Sequence, residues 1–381
     1  MIFTNARVIL ANEIRDDLDL VVRDGKIADL RPRSDATDAI DLRGKYLSPG
    51  FVDAHVHGAL GRDAMQGTAE AFRAICDFHL AGGTTSLLLT TATAPLDQIV
   101  VVLEAVRSAN IPQIAGVHME GPFISREKAG AQNQEFICEP TQDRIRPLFN
   151  YRDTIRRITI APEIGGAMDV IGKFAAAGIS VSGGHSNAWD EEARAAFARG
   201  MRSVTHTFNC MSSARRRGTH RVAGLLEFAL SEPEIFCELI ADGHHVSPTL
   251  MKLLYRAKGA QKILLVTDAT AGAGMPDGTP FELGGRECVV ENGVCLLADR
   301  SALAGSAATM IELVRTMVNK VEVPPHEAIA MASRNPAREI RLSGKGEIAV
   351  GIDADLVVLT PELTVEEVYV DGDRKGLSQL D

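Results

Sequence analysis

Eight short apolar segments, separated by amphipathic helical stretches, constrain the fold of this chain more than any other feature. They are FVDAHVHG (51–58), TTSLLLT (84–90), IAGVHME (114–120), ITIAPE (158–163), ISVSGGH (179–185), SVTHTFN (203–209), FCELIADG (236–243) and ILLVTDA (263–269). Near-continuous apolar strands that alternate with helices are typical of parallel strands buried on both faces. Eight such units predict an α/β fold, a (β/α)8 TIM barrel, with its functional residues at the carboxyl ends of the strands.

The two ends of the chain have a different pattern from the middle. Residues 1–49 and 344–381 contain short alternating strands, and RDGKI (23–27) carries the Asp-Gly pair of a hairpin turn. We therefore predict one small discontinuous β-sandwich domain built from both ends, with the catalytic barrel over residues 50–343. The segment GTPFELGGRECVVENGVCLL (278–297) interrupts the barrel pattern and predicts a β excursion.

Charge and composition argue against several classes of protein. Fifty acidic residues against 40 basic ones give a net charge of −10, which is unfavourable for nucleic-acid binding. No apolar run reaches the length of a membrane span, and MIFTNARVILANEIRDD lacks the pattern of a secretory signal. The six cysteines are scattered without a CxxC pair, which predicts reduced thiols in a cytoplasmic protein.

Residues that bind metal ions stand at the ends of five of the eight predicted strands. They are His55 and His57, His118 and Glu120, His185, His206, and Asp268. Taken singly, each has an ordinary explanation as a buried histidine, a helix cap or an ion-pair partner. In a barrel, however, they converge on one mouth, and the two histidines of the HxH pair share a face because they are two residues apart. The combination predicts one or two divalent ions per chain, with zinc first and iron second.

The expected chemistry is metal-assisted hydrolysis. A bound divalent ion polarises a carbonyl group and lowers the pKa of water to about 7. The reaction then needs a general acid–base that moves a proton from the water to the leaving group, and a carboxylate beside the ion is suitable. Asp268, in VTDAT at the end of the eighth strand, is our candidate. The alternative is that Asp268 is a plain ligand or caps the turn that follows.

Several motifs resemble those of a known family. SPGFVDAHVHG, together with the β-rich ends, resembles the amidohydrolase superfamily. GVHMEGPFISREKAGA, GGHSNA, VTHTFN, IADGHHV, LLVTDAT and ALAGS resemble the N-acetylglucosamine-6-phosphate deacetylase family, and the motifs extend from about residue 49 to residue 306. The resemblance implies hydrolysis of the N-acetyl amide of an amino sugar, most directly N-acetylglucosamine 6-phosphate to glucosamine 6-phosphate and acetate.

The resemblance also implies roles for individual residues. Glu120, His185 and His206 would hold the ion that the family shares. His55 and His57 would hold a second ion, with Glu120 bridging the two. Asp268 would be the catalytic acid–base. The substrate contacts would come from His245 and from the backbone near Asn209, Cys210 and Leu303.

This sequence departs from the family pattern in three places. Gln132 stands where the family usually has a substrate-binding histidine, and Cys210 replaces the alanine of an Asn-Ala-Met motif. The segment SSARRRGTHRVAG (212–224) is longer than the family's phosphate-binding turn. Arg217 is its nearest match to the phosphate-binding arginine, and the other candidates are Arg215, Arg216 and Arg221. The family's arginine reaches the neighbouring subunit, which implies a homodimer; a solvated basic loop is the alternative.

Three other functions remain open at this point. The first is an amidohydrolase of the dihydroorotase or hydantoinase kind, which bridges two metals with a modified lysine; the predicted fourth strand here ends in IAPE and has none. The second is a deacetylase for another N-acyl amino sugar, perhaps unphosphorylated, since neither the sugar epimer nor the acyl group is defined. The third is a non-catalytic binding protein on the same fold.

Overall fold

Eight parallel strands form one sheet in the order in which they follow one another along the chain, which confirms the predicted (β/α)8 barrel. The computed structural model describes residues 1–34 and 38–377. The barrel strands are Phe51–Val56, Thr84–Thr91, Ile114–Glu120, Ile155–Ile160, Ser180–Gly183, Met201–Val204, Phe236–Leu239 and Ile263–Leu265. A parallel bridge between Val56 and Ala269 closes the barrel between its first and last strands.

The helices lie between and after the barrel strands. The first, Ala69–Ala81, begins after Thr68, whose hydroxyl oxygen accepts a hydrogen bond from the backbone N–H of Ala71. The others are Leu96–Ala109, Gln142–Ile145, Ala167–Ala176, Asp190–Arg199, Leu225–Ser231, Pro248–Lys258, Met310–Val321, Pro325–Ala332 and Arg334–Glu339. Within the described ranges, 1–34 and 38–377, no helix is long and apolar enough to cross a membrane.

Most barrel strands end earlier than their apolar segments suggest. The fourth strand also begins earlier, so that it spans Ile155–Ile160 rather than 158–163. The reason is local backbone geometry: His185, His206 and Asp268 have φ values of 46°, 29° and 49°. Such left-handed conformations cannot continue a strand. These residues therefore occupy the loops just beyond the strands in which the sequence pattern placed them.

The two ends of the chain form two further sheets that pack face to face as a β-sandwich. One contains Ile2–Thr4, Leu18–Arg23, Lys26–Pro32 and Ile40–Asp41; the other contains Arg7–Ile9, Ile14–Arg15, Tyr46–Pro49, Leu356–Leu359, Val365–Val370 and Asp373–Lys375. Phe3 and Tyr369 meet edge to face between the sheets, with ring centroids 5.0 Å apart. The boundaries 1–49 and 344–381 stay a prediction, and residues 35–37 and 378–381 lie outside the described residues.

Three smaller antiparallel sheets follow individual barrel strands in the part of the chain that the structure describes. Segment 278–297 forms the predicted excursion, with strands Pro280–Leu283, Arg286–Glu291 and Val294–Leu297. Two short hairpins follow the first and sixth barrel strands. They pair Gly58–Ala59 with Arg62–Asp63, and Arg215–Arg217 with His220–Val222. The second hairpin contains the arginine-rich segment, so this segment is ordered into strands.

A buried ion-pair network occupies the interior of the barrel. Arg157 is 0% exposed, and its guanidinium lies 3.0 Å from Glu238 Oε1 and 3.1 Å from Glu339 Oε2. It also donates to the hydroxyls of Ser182 and Ser203 at 3.0 and 3.2 Å. Buried charges are tolerated when they are paired and hydrogen-bonded, as they are here. The network joins the fourth, fifth, sixth and seventh strands below the mouth.

We expect Arg157→Met to destabilise the protein by about 3–5 kcal/mol, because two buried carboxylates lose their common partner. Urea unfolding at fixed metal content measures this change. Arg156→Met is the matched control, since Arg156 is exposed and donates to the Ala115 carbonyl at 3.1 Å. Equal unfolding midpoints for the two variants would show that the network does not stabilise the barrel.

Candidate metal centre

Two groups of buried ligand-type side chains share one carboxylate at the carboxyl end of the barrel. Glu120 is the last residue of the third strand, and it is 2% exposed. The first group is Glu120, His185 and His206; the second group is His55, His57 and Glu120. In each group, one nitrogen or oxygen per residue lies within 4.8 Å of the others. The structure thus brings together the five predicted metal ligands; their role as ligands stays a prediction.

In the first group the imidazoles of His185 and His206 face the same oxygen. Their Nε2 atoms lie 3.2 and 3.0 Å from Glu120 Oε1, and they are 3.0 Å from each other. The other ring nitrogen, Nδ1, orients each imidazole. His185 Nδ1 donates to the Lys128 carbonyl at 2.7 Å, and His206 Nδ1 donates to the Asn209 carbonyl at 3.2 Å. A carbonyl oxygen can only accept, so Nδ1 carries the proton and Nε2 presents its lone pair.

In the second group the HxH pair faces both Glu120 and Asp268. His57 Nε2 lies 3.2 Å from Glu120 Oε2, and His55 Nε2 lies 3.4 Å from Glu120 Oε1. The two Nε2 atoms are 3.3 Å apart. His55 Nδ1 donates to Glu238 Oε2 at 3.2 Å, which leaves its Nε2 free to act as a ligand.

These distances fit a bound cation. Lone pairs of nitrogen and ionised oxygen repel one another when they converge in a buried site, and only a proton or a cation compensates for them. Ligand bonds of about 2.0–2.1 Å in a tetrahedral zinc site put the donor atoms about 3.3 Å apart. The observed separations of 3.0–3.4 Å lie in this range. The donor set therefore suits first-row divalent ions.

The electrostatics of the centre depend on the balance between burial and neighbouring charges. Burial alone would raise the pKa of Glu120, but the interaction of its carboxylate with the neighbouring imidazoles of His55 and His185 outweighs burial and holds this pKa well below its usual value. His118, at the end of the same strand, donates or accepts at the hydroxyls of Thr90 and Thr159 instead. Burial, together with the neighbouring imidazole of His55 and the positive charge of Arg157, holds the pKa of His118 well below its usual value, so it stays a neutral residue beneath the centre.

Asp268 lies on the wall of the second group. Its Oδ1 is 3.3 Å from His55 Nε2 and 3.4 Å from His57 Nε2, and its backbone N–H donates to the His55 carbonyl at 2.9 Å. The φ of 49° turns it away from the strand direction and towards the mouth. Below it, Asp53 accepts the Thr267 hydroxyl at 2.6 Å, and burial raises the pKa of Asp53 to about 7. The carboxylate of Asp268 is thus fixed beside both histidines.

A cavity of ≈ 200 Å³ opens directly above the two groups. Its walls include all but one of the predicted substrate contacts, namely Gln132, Asn209, Cys210, His245 and Leu303. His245 is oriented by Asp242, whose Oδ2 lies 2.7 Å from its Nδ1. Leu283 of the three-stranded sheet contributes to the apolar part of the wall.

Arg217 is the predicted contact that the structure does not place in this cavity. It stands next to the turn of its hairpin, opposite His220, and its guanidinium pairs with Glu191 at 2.7 Å. The same guanidinium lies 4.0 Å above the ring of Trp189. Arg217 therefore lies on the exposed surface of its own chain, against Glu191 and Trp189.

Sequence reasoning missed Glu238 and Asp242. Glu238 holds both groups at once, because its Oε2 accepts from His55 Nδ1 at 3.2 Å and from the backbone N–H of His206 at 2.9 Å. Its signal was a lone carboxylate inside the apolar segment FCELIADG. An acidic residue in a strand buried on both faces needs a positive or hydrogen-bonding partner, and this pattern could have identified it.

The chain is similar over most of its length to known proteins. It matches the amidohydrolase family over residues 46–375. It is 33% identical over 381 residues to an N-acetylglucosamine-6-phosphate deacetylase of Lysinibacillus sphaericus, which covers 98% of this chain and 97% of that one. It is 34% identical over 364 residues to an N-acetylgalactosamine-6-phosphate deacetylase of Escherichia coli O157:H7, with 94% of each chain covered.

The chain is also similar in structure to solved N-acetylglucosamine-6-phosphate deacetylases. The N-acetylglucosamine-6-phosphate deacetylase of Pasteurella multocida superimposes with a TM-score of 0.92 at 32% identity, covering 98% of this chain and 99% of that one. An aspartate-to-alanine mutant of the Mycobacterium smegmatis deacetylase, in complex with N-acetyl-D-glucosamine-6-phosphate, superimposes with a TM-score of 0.93 at 30% identity, and 98% of each chain is covered.

We expect His206→Ala to lose at least one divalent ion per chain, because one ligand group then retains only two of its three side chains. Elemental analysis of protein purified without chelators measures the loss. His220→Ala is the control, since His220 is exposed on the arginine hairpin. Metal content that is the same in both variants and in the native protein would contradict a metal site at His206.

Proposed function

Because this chain belongs to the amidohydrolase family, we propose that it hydrolyses the N-acetyl amide of an amino sugar, with N-acetylglucosamine 6-phosphate as substrate. The products are glucosamine 6-phosphate and acetate. The observation that carries the proposal is the pair of ligand groups around Glu120, with Asp268 beside them at the floor of a cavity. The resemblance to deacetylases over 98% of the chain supports the same substrate class.

In this proposal the divalent metal would be held by five side chains, those of His55, His57, Glu120, His185 and His206. Glu120 would contribute to both groups, since its Oε1 lies 3.0 Å from His206 and its Oε2 lies 3.2 Å from His57. The bound ions polarise the amide carbonyl and lower the pKa of water. Zinc is our first choice because imidazole and carboxylate ligands at these separations suit it, and iron is the second.

Asp268 moves the proton. Its fixed carboxylate takes a proton from the attacking water and delivers it to the amide nitrogen, so that the amine can leave when the C–N bond breaks. His245 binds the sugar, because Asp242 holds its Nδ1 and leaves Nε2 to face the cavity. The backbone at Asn209 and Cys210 and the side of Leu303 complete the walls that orient the amide.

The phosphate is bound by an arginine from a second copy of the chain. Arg217 stands at the tip of an exposed hairpin and outside its own cavity, as a residue that serves a neighbouring subunit must. Stacking on Trp189 orients its guanidinium, which forms bidentate hydrogen bonds with phosphate. We therefore propose a homodimer. A cytoplasmic location is proposed with it, supported by six cysteines that are free thiols.

A second candidate substrate differs from the first in the sugar epimer. One relative at 34% identity is named for N-acetylgalactosamine 6-phosphate rather than the gluco epimer. Comparison of kcat/KM for the two N-acetyl hexosamine 6-phosphates, and for the free N-acetyl sugars, decides between the substrates. A higher value for a free sugar would reject the phosphorylated substrate.

Asp268→Asn should keep its metal and lose turnover. Asn fills the same space, yet it cannot carry the proton, and loss of a positioned acid–base group lowers the rate about 100-fold or more. Steady-state kinetics and metal analysis on the same sample test this. If the variant loses metal together with activity, Asp268 is a ligand; if turnover stays near native, it has no chemical role.

Arg217→Ala should raise KM for the phosphorylated sugar about tenfold or more, since ~1.4 kcal/mol corresponds to a factor of ten. KM for the free sugar should not change, because this substrate has no phosphate. Arg194→Ala is the matched control: Arg194 is an exposed arginine on the helix Asp190–Arg199. Equal KM values for Arg217→Ala and the control would remove Arg217 from the phosphate site.

A further inference from the structure

The loop 128–132 contacts the metal centre at two points. The Lys128 carbonyl accepts from His185 Nδ1 at 2.7 Å. Four residues later, Gln132 Nε2 donates to Glu120 Oε2 at 2.5 Å, and the Gln132 side chain is almost fully buried. One short loop therefore orients two side chains of the His185 group, and it does so from the same side.

The orientation of the Gln132 amide is determined by its second hydrogen bond. Gln132 Oε1 accepts the backbone N–H of Thr93 at 2.7 Å, so the NH₂ group must face Glu120. The opposite amide orientation would place two donors together at Thr93 and two acceptors together at Glu120. Because the Thr93 donor belongs to the backbone, the amide is anchored to the end of the second barrel strand.

The two oxygens of Glu120 have different surroundings as a result. Oε1 faces His185 and His206 and also lies 3.4 Å from His55, whereas Oε2 lies 3.2 Å from His57 and accepts from Gln132. A carboxylate oxygen accepts more than one partner, so Oε2 can bind an ion and Gln132 together. An amide is also neutral, and it leaves the full negative charge of Glu120 available to the ions.

We propose that Gln132 is a positioning residue that holds Glu120 Oε2 beside His57, and thereby sets the affinity of the His55 and His57 group for its ion. This inference rests on the proposed two-ion centre and deepens it. Without Gln132, rotation of the carboxylate moves Oε2 away from His57. The His185 and His206 group keeps its ion, because Oε1 and both imidazoles remain available.

The loop itself is supported from the three-stranded sheet. Arg286 donates to the Gly130 carbonyl at 3.1 Å, and the Gln132 backbone N–H donates to the Ala129 carbonyl at 2.9 Å. Gly130 has a φ of 58°, and a Cβ there would lie 2.6 Å from Cys210 Sγ. The close contact with Cys210 and the left-handed backbone both favour glycine at this position of the loop that carries Gln132.

The test is a zinc titration of the metal-free full-length protein by calorimetry. Native protein should bind two ions per chain. Gln132→Leu should bind the first ion with unchanged affinity and the second about 10- to 100-fold more weakly, which is the usual effect of losing a partner that orients a ligand. Gln132→Asn should show the same loss, because its shorter side chain cannot reach from Thr93 to Glu120. Gln261→Leu is the control at an exposed position beyond the other end of the barrel.

Deacetylation assays at rising zinc concentration separate this role from a substrate contact. If Gln132 positions Glu120, excess zinc restores kcat in Gln132→Leu. Native affinity for both ions in Gln132→Leu and Gln132→Asn overturns the inference, and so does a single ion in the native protein. The proposed function is tested separately, by deacetylase activity of the native enzyme, and neither of these results would contradict it.

Discussion

The shared carboxylate of Glu120 is the interaction on which the rest of this site depends. Four imidazole nitrogens from three different segments of the chain lie within 3.0–3.4 Å of its two oxygens. Such an arrangement is unfavourable in a buried site unless cations occupy it. It also requires a scaffold that brings segments far apart in sequence to one point. The closed barrel does this, because every parallel strand ends at the same mouth.

The surrounding structure explains how the side chains keep their orientation. Glu238 accepts from His55 and from the backbone of His206, and Arg157 compensates its charge inside the barrel. His185, His206 and Asp268 leave their strands in left-handed conformations, which cost roughly 1–3 kcal/mol each. This cost is offset by burial and hydrogen bonding around the loops. The geometry of the centre thus derives from the whole barrel.

Much of the fold was predictable because it depends on local patterns. Eight apolar segments gave the barrel, and the alternation at both ends gave the sandwich. The strand ends were not predictable, since the residue type histidine does not show whether its backbone is left-handed or extended. The lone carboxylate of Glu238 in an apolar segment indicated a buried partner, but the partner itself was not predictable, because the pairing with Arg157 joins strands about 80 residues apart. The direction of Arg217 depends on a hairpin whose sequence departs from the family.

Anomalous diffraction at the zinc edge, from crystals of the native protein loaded with zinc, tests the central claim most directly. The account predicts two peaks about 3.5–4 Å apart. One should lie about 2.0–2.2 Å from the nitrogens of His185 and His206, and the other at the same distance from those of His55 and His57, with Glu120 between them. A single peak, or peaks away from Glu120, would contradict a centre in which one carboxylate holds two ions.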